Sequence, residues 1–249
     1  MNNDLEIKKL SKEFVDETGF RKNLFQNISF DVEKNSFTTV LAPTGMGKSS
    51  FLKIISGLET QSSGEIIKKE DTKIIYIPTE PSSFPWMTVE ENIRFAAKDK
   101  SDIKKYINIV GLDGYEDHIP HNKSLGFRFR ISLARALAIE PSIIVLDEPF
   151  NKMDIKTKAE IYSLVNKINC NEKQTMLLGT TNITEAIYLS DKIILMKKDP
   201  AEILEEIKIE FDKERNYELL DKDEFHLMRT RIEKIYKQHQ SQKLFNLSI

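Results

Sequence analysis

The chain has 249 residues, 40% of them apolar, with 37 basic and 39 acidic side chains for a net charge of −2. At about 150 residues per domain this is one large domain, or one domain carrying a modest subdomain, and the balanced charge argues against a general electrostatic hold on nucleic acid. The one cysteine, Cys170, excludes a disulfide framework, and four scattered histidines without cysteine partners offer no metal-ligand spacing. That cysteine usage reads as intracellular, and with no apolar run near the ~20 residues of a membrane span and no signal-peptide pattern in Met1 to Leu10, the chain is not expected to cross a membrane by itself. There are nine glycines, where an average usage of about 7% would give roughly 17.

In chain order, Leu5 and Ile7, then Ile28, Phe30 and Val32, alternate with polar neighbours as half-buried strands do. Phe37 to Leu41 is a short apolar-rich strand entering a glycine-containing loop, and a helix follows from Lys48 to Ile55, ended by Gly57. Ile74 to Ile77 reads as a buried strand stopped by Pro78. The chain then turns helical: Thr88-Val89-Glu90-Glu91 has capping-box spacing, Asp102 to Val110 is amphipathic and closed by Gly111, and a helix spans about Arg128 to Ile139. Beyond it come a strand at Ile143 to Leu146, a helix from about Ile155 to Ile168, a strand at Met176 to Leu178, a helix at Asn182 to Leu189 and a strand at Lys192 to Met196. Buried strands alternating with helices imply an α/β fold, a mostly parallel sheet covered on both faces, with Val89 to Ile139 as a helical lobe. Lys208 to Phe211 and a helix from about Glu224 to Gln238 form a C-terminal appendage, too small for a domain of its own.

Ala42-Pro43-Thr44-Gly45-Met46-Gly47-Lys48-Ser49 follows a buried strand and opens a helix. Such a loop points successive backbone N–H groups at phosphate oxygens, reaches the terminal phosphates with Lys48 and offers the Ser49 hydroxyl to Mg²⁺. Ala42 stands where the usual spacing has its first glycine, a mild replacement if φ there is negative. About a hundred residues later, the strand Ile143 to Leu146 runs into Asp147-Glu148-Pro149. Asp147 is placed to hold Mg²⁺ through water and Glu148 to polarise an attacking water.

With these residues the sequence resembles the nucleotide-binding subunit of an ATP-binding cassette transporter, from about residue 4 to residue 210. The likeness is to the nitrate, sulfonate and taurine importer branch, through Glu80-Pro81, Phe84-Pro85-Trp86-Met87-Thr88-Val89 and Asp147-Glu148-Pro149-Phe150. The resemblance implies a P-loop ATPase fold of cassette type: a core over about 1–87 and 141–210, an N-terminal antiparallel β part, an inserted helical subdomain over about 88–140 and an appendage over 211–249. It implies ATP and Mg²⁺ bound by Ala42 to Ser50, with Ser50 extending the loop, and the metal at Ser49 and Asp147. Phe14 matches the aromatic that stacks on adenine, a core aromatic being the alternative. Asp154 matches a loop crossing the dimer interface, a solvated helix cap being the alternative.

Three positions depart from the family pattern. Thr79 stands for a metal-reaching Gln and is too short for that reach. Lys123-Ser124-Leu125-Gly126-Phe127-Arg128-Phe129 stands for the signature loop L-S-G-G-x-x-Q, keeping Ser124 and Gly126 but placing Leu125 where a backbone approaches the other subunit's γ-phosphate. Thr181 replaces the switch His. The resemblance therefore implies ATP binding with slow hydrolysis.

Implied partners are a transmembrane permease, a second nucleotide-binding subunit in a homo- or heterodimer, and an external solute-binding protein, with no nucleic acid. The implied location is cytoplasmic, peripheral on the inner face of the cell membrane. Two functions stay open at this level: an energising importer subunit, or a hydrolysis-impaired structural or regulatory half of a heterodimeric transporter. Pro81, Pro85 and Trp86 are either a rigid contact for the permease or a Trp packed within the helical lobe. Arg128, Arg130 and Arg135 read as a solvated helix face.

Overall fold

In the computed structural model the backbone is described for residues 3–15, 19–98, 102–198 and 200–246, and side chains over the same stretches as far as residue 239. The end of the appendage, 247–249, lies outside the described residues. Strands β1 (Asn3–Val15) and β2 (Arg21–Glu33) pair antiparallel, and their apolar sides turn inward. The alternation slips by one residue between Ile7 and Leu10, where the β1–β2 register shifts and Lys9 takes φ 47, so that Leu5, Ile7 and Leu10 all reach the core.

The main sheet is built on β3 (Phe37–Leu41), which is buried throughout. It leads through the phosphate loop into α1 (Lys48–Ile55), whose end is marked by Gly57 at φ 74. Next come β4 (Ser63–Ile67), pairing antiparallel with β1, and β5 (Ile74–Ile77). Helices α2 (Val89–Ala96), α3 (Ile103–Ile109) and α4 (Leu125–Ala138) form the helical lobe. Thr88 and Glu91 make the reciprocal capping box expected at the start of α2.

The second half of the sheet comprises β6 (Ile143–Asp147), β7 (Thr175–Thr180), β8 (Lys192–Met196) and β9 (Ile203–Lys208), with α5 (Ile155–Asn171) and α6 (Ile183–Leu189) between them. Strand order is β5-β6-β7-β3-β8-β9, parallel except for β9, which pairs antiparallel with β8. The non-consecutive order sends the chain repeatedly across the sheet and brings the ends of β3, β6 and β7 together at its carboxyl edge. That edge is where ligands bind in open α/β sheets. One face packs on α1 and the antiparallel sheet around Phe51, Leu52, Phe25 and Val145. The opposite face packs on α4, α5 and α6 around Phe129, Phe150, Ile161 and Tyr188.

One expectation changes here, and one strand is added. β5 is the sheet's edge strand, so Ile74, Ile75 and Tyr76 are half-buried and only Ile77 is fully covered. β9 adds a sixth strand to the main sheet that the sequence did not suggest, and it ends at Lys208, within the core expected to run to about 210. A 3₁₀ turn at Tyr217–Asp221 leads into α7 (Asp223–Asn246), which buries Phe225 and Ile232 against the sheet domain. Tyr236 of α7 donates to the Leu41 carbonyl at 3.1 Å, so the appendage touches the residue that precedes the phosphate loop.

Candidate nucleotide site

The loop from Ala42 to Gly47 turns from β3 into α1 through two left-handed positions, Gly45 at φ 83 and Gly47 at φ 86. Both are glycines, the residue that takes this conformation without steric cost. Ala42 lies outside the positive-φ residues and is buried in the core, with its N–H donating to the Thr180 carbonyl at 3.2 Å. The methyl group at this position is therefore accommodated. Thr44, Gly45 and Ser49 are open at the surface, Pro43 and Ser50 half-covered, and Met46 anchors the loop in the core.

Lys48 is only 6% exposed, and its ammonium lies 2.7 Å from the carboxylate of Glu148, which is 20% exposed. Glu148 follows β6 with φ 44, its N–H donating to Gly179 O at 2.9 Å, while Asn151 donates to its second oxygen at 3.2 Å. A non-glycine residue in the left-handed region is worth about 1 kcal/mol or more of strain, and it aims the carboxylate back at α1. Gly179 is the hinge of this packing. A β-carbon there would stand 2.5 Å from Leu52 Cδ1 and 3.1 Å from Lys48 Cγ, so a larger residue would require those α1 side chains to shift away from β7.

Asp147, at the end of β6 and 2% exposed, accepts a hydrogen bond from the Tyr76 hydroxyl at 2.7 Å on Oδ2. Its Oδ1 is buried and has no hydrogen-bond partner. Burial, and then the bond to Asp147, push the Tyr76 phenol above its usual range, so it remains a donor. An orphaned buried carboxylate oxygen, one residue before the Glu148 that pairs with Lys48, suits a hydrated Mg²⁺, a hard cation bound through one or two carboxylates and several waters. Thr79 donates its hydroxyl to the Asp147 main-chain carbonyl at 2.9 Å, which fixes the strand end and directs its short side chain into the protein. Thr181 is exposed, whereas its neighbour Thr180 is buried and donates to Glu185, which also accepts from Tyr162 at 2.8 Å.

A second group gathers at the starts of α4 and α5. Ser124 caps α4 by accepting from Phe127 N at 3.2 Å. A β-carbon on Gly126 would lie 2.6 Å from Thr157 Cγ2, and Thr157 in turn donates through its N–H and its hydroxyl to Asp154. The Thr157 hydroxyl, chiefly, holds the Asp154 carboxyl below its usual range. Asp154 is thus a helix cap, yet an exposed one beside the exposed Ile155. Leu125 is half-buried against the larger core cluster, so part of its side chain is accommodated within its own subunit.

Phe14 is 52% exposed with the Lys12 ammonium 5.6 Å from its ring centre, which removes the core-aromatic alternative. It pairs with Lys22 on β2, and Leu24 of the same strand packs beside Gly47, so this end of the antiparallel sheet adjoins the phosphate loop. Trp86 is 70% exposed, its ring tilted 33° to that of Phe84 at 5.6 Å, and Phe84 also meets Phe95 edge-on at 5.1 Å. The alternative of a Trp packed inside the helical lobe is not realised.

The solvated-arginine expectation is corrected. Arg135 lies 4.4 Å over the Phe84 ring and donates to Ser82 O, while Arg130 donates to Val110 O at 2.6 Å and faces Glu160. Burial draws both guanidinium values down without discharging them. Sequence reading missed Tyr76, Gly179 and Asn92. Tyr76 carried one signal, a lone phenol in the aliphatic strand Ile74-Ile75-Tyr76-Ile77.

A phosphate loop, a strand-borne carboxylate pair at the same sheet edge and a helical lobe define a nucleotide-binding cassette. The chain belongs to the ABC transporter family, whose sequence model matches residues 25–151, as an ATP-binding, ATPase-type subunit. It is 40% identical over 221 residues to an aliphatic sulfonates import ATP-binding protein of Bacillus thuringiensis subsp. konkukian, covering 84% of this chain and 88% of the relative. An uncharacterised ABC transporter ATP-binding protein of Methanocaldococcus jannaschii is 33% identical over 228 residues, covering 85% and 84%. Among solved structures, a dimeric ATP-binding cassette in a post-hydrolysis state with ADP and phosphate superposes with a TM-score of 0.69 at 25% identity, covering 84% of this chain and all of that one. Among the described residues no helix is long and apolar enough to cross a membrane.

Proposed function

We propose that this chain binds ATP with Mg²⁺ and hydrolyses it slowly to drive import of a small solute through a membrane permease. The observation that carries the reading is the convergence of Lys48, Glu148 and the free Asp147 oxygen around Gly179. The exposed loop amides and the N-terminus of α1 receive the phosphates, and the Lys48 ammonium exchanges Glu148 for phosphate oxygens. Glu148, released from that pair, accepts a proton from the attacking water. Ser49 and Asp147 hold the metal, which supplies charge neutralisation on the phosphates. Phe14 stacks on the base. The exposed Thr181 brings no imidazole to the water, and the loss of a group of that kind costs roughly 10² to 10⁴ in rate.

The exposed Ser124 and Asp154 face a second cassette, with Gly126 buried behind them against Thr157, and each closed site is shared between two subunits. The aromatic surface of Phe84, Trp86 and Phe95 docks a cytoplasmic segment of the permease, which holds the chain on the inner face of the cell membrane. An external solute-binding protein completes the importer. Likeness to a protein named for aliphatic sulfonate import makes that class of solute the first to assay. The test is the melting temperature of the purified chain with millimolar ATP and Mg²⁺. At 100-fold over Kd, binding adds about 2.7 kcal/mol, which raises the midpoint by several degrees, and no rise would refute the reading.

A further inference from the structure

Asp147 ends β6 next to two side chains from the neighbouring edge strand and the loop that follows it. Tyr76 of β5 pairs in parallel register with Val145, so Tyr76, Val145 and Asp147 share one face of the sheet. That face is the one against which α1 packs, and the Tyr76 ring lies along the same apolar cluster. From there its hydroxyl reaches Asp147 Oδ2 at 2.7 Å, a charge-assisted bond of good length. Thr79 fastens the Asp147 main chain at its carbonyl. Backbone and side chain are thus held separately, by two residues three positions apart.

A carboxylate offers two equivalent oxygens, and a single fixed donor removes the equivalence. With Oδ2 taken by the phenol, Oδ1 stays buried and unpartnered. A native protein rarely leaves a buried carboxylate oxygen unsatisfied unless something else completes it.

We infer that Tyr76 is a positioning residue for the divalent cation of the nucleotide site: its hydroxyl pins one oxygen of Asp147 and presents the other to the cation's water shell. This rests on the function proposed above. Partners one shell out from a metal ligand typically change metal affinity by roughly 10 to 100-fold when removed. Tyr76→Phe keeps the ring and its packing and deletes only the donor, which frees the carboxylate to rotate.

The experiment titrates Mn²⁺ into the full chain with a non-hydrolysable ATP analogue, following free Mn²⁺ by electron paramagnetic resonance. Y76F is expected to weaken Mn²⁺ binding about tenfold, with the affinity for the analogue in EDTA unchanged. In a D147N background the same change is expected to cost nothing further, because Tyr76 acts through Asp147. Equal Mn²⁺ affinities in wild type and Y76F, or an equal loss with and without D147N, would overturn the positioning role and leave the ATPase reading standing. Failure of the wild type to bind Mn²⁺ together with the analogue would overturn both.

Discussion

Glu148→Gln removes the anion facing Lys48 while keeping the size of the side chain. At 2.7 Å and an effective dielectric constant of about 20, the gross attraction in the pair is about 6 kcal/mol. Water reaches the 20% of Glu148 that is exposed and recovers part of this, but Lys48 is nearly enclosed, so stranding its charge costs about 3 kcal/mol net. For a chain of this size 1 kcal/mol moves the melting midpoint by about 2–4 °C, so nucleotide-free E148Q melts roughly 6–12 °C below wild type. Triphosphate restores a counter-charge to Lys48 in the variant and only exchanges one in the wild type. ATP in EDTA therefore raises the variant's midpoint by more than the wild type's. Differential scanning calorimetry of both proteins, with and without ATP, measures all four midpoints. Equal midpoints without nucleotide, or equal ATP-induced rises, would refute the ion-pair reasoning.

Three further outcomes follow from the packing. Gly179→Ala forces Leu52 and Lys48 away from β7 and is expected to destabilise the fold by about 1–3 kcal/mol, read by urea unfolding, and to weaken ATP binding as the phosphate loop shifts. Asn92 is fully buried and accepts from Phe84 N while donating to the carbonyls of Phe84, Met87 and Thr88, so Asn92→Ala should free the loop that displays Trp86, seen as a fall in Trp fluorescence anisotropy. Asp154 has a lowered folded value, so its contribution is fully present above its unfolded pKa of about 3.9 and is lost as pH falls through the folded value. Amide exchange at the start of α5 should be flat from neutral pH down to about 4, once corrected for intrinsic rates, and lose protection only below it; a change near pH 6 would contradict the assignment.

The phosphate loop was legible because its chemistry is local: strand, glycines, lysine and serine lie close together in sequence, and Lys192–Met196 was legible because Ile193 to Met196 are buried and so form an apolar run. β4 escaped notice because Ser63-Gly64-Glu65 carries no apolar pattern and is held by backbone bonds to β1. β9 escaped because an antiparallel edge strand is mostly half-exposed and alternates weakly. The start of α4 lies at Leu125, three residues before the expected Arg128, because Ser124 caps the helix and Gly126 sits inside its first turn. The arginines misled because overall charge balance says nothing about a guanidinium stacked on a ring. Tyr76 and Asp147 are 71 residues apart in sequence, and only the β5–β6 register brings them together.

In the proposed function, Glu148 activates water at a site built on Lys48 and Asp147. Phosphate release by the purified chain with Mg²⁺ and ATP, beside its E148Q variant, tests it most directly. Slow, saturable release is expected from the wild type and none above background from the variant. Equal release from both proteins would contradict it.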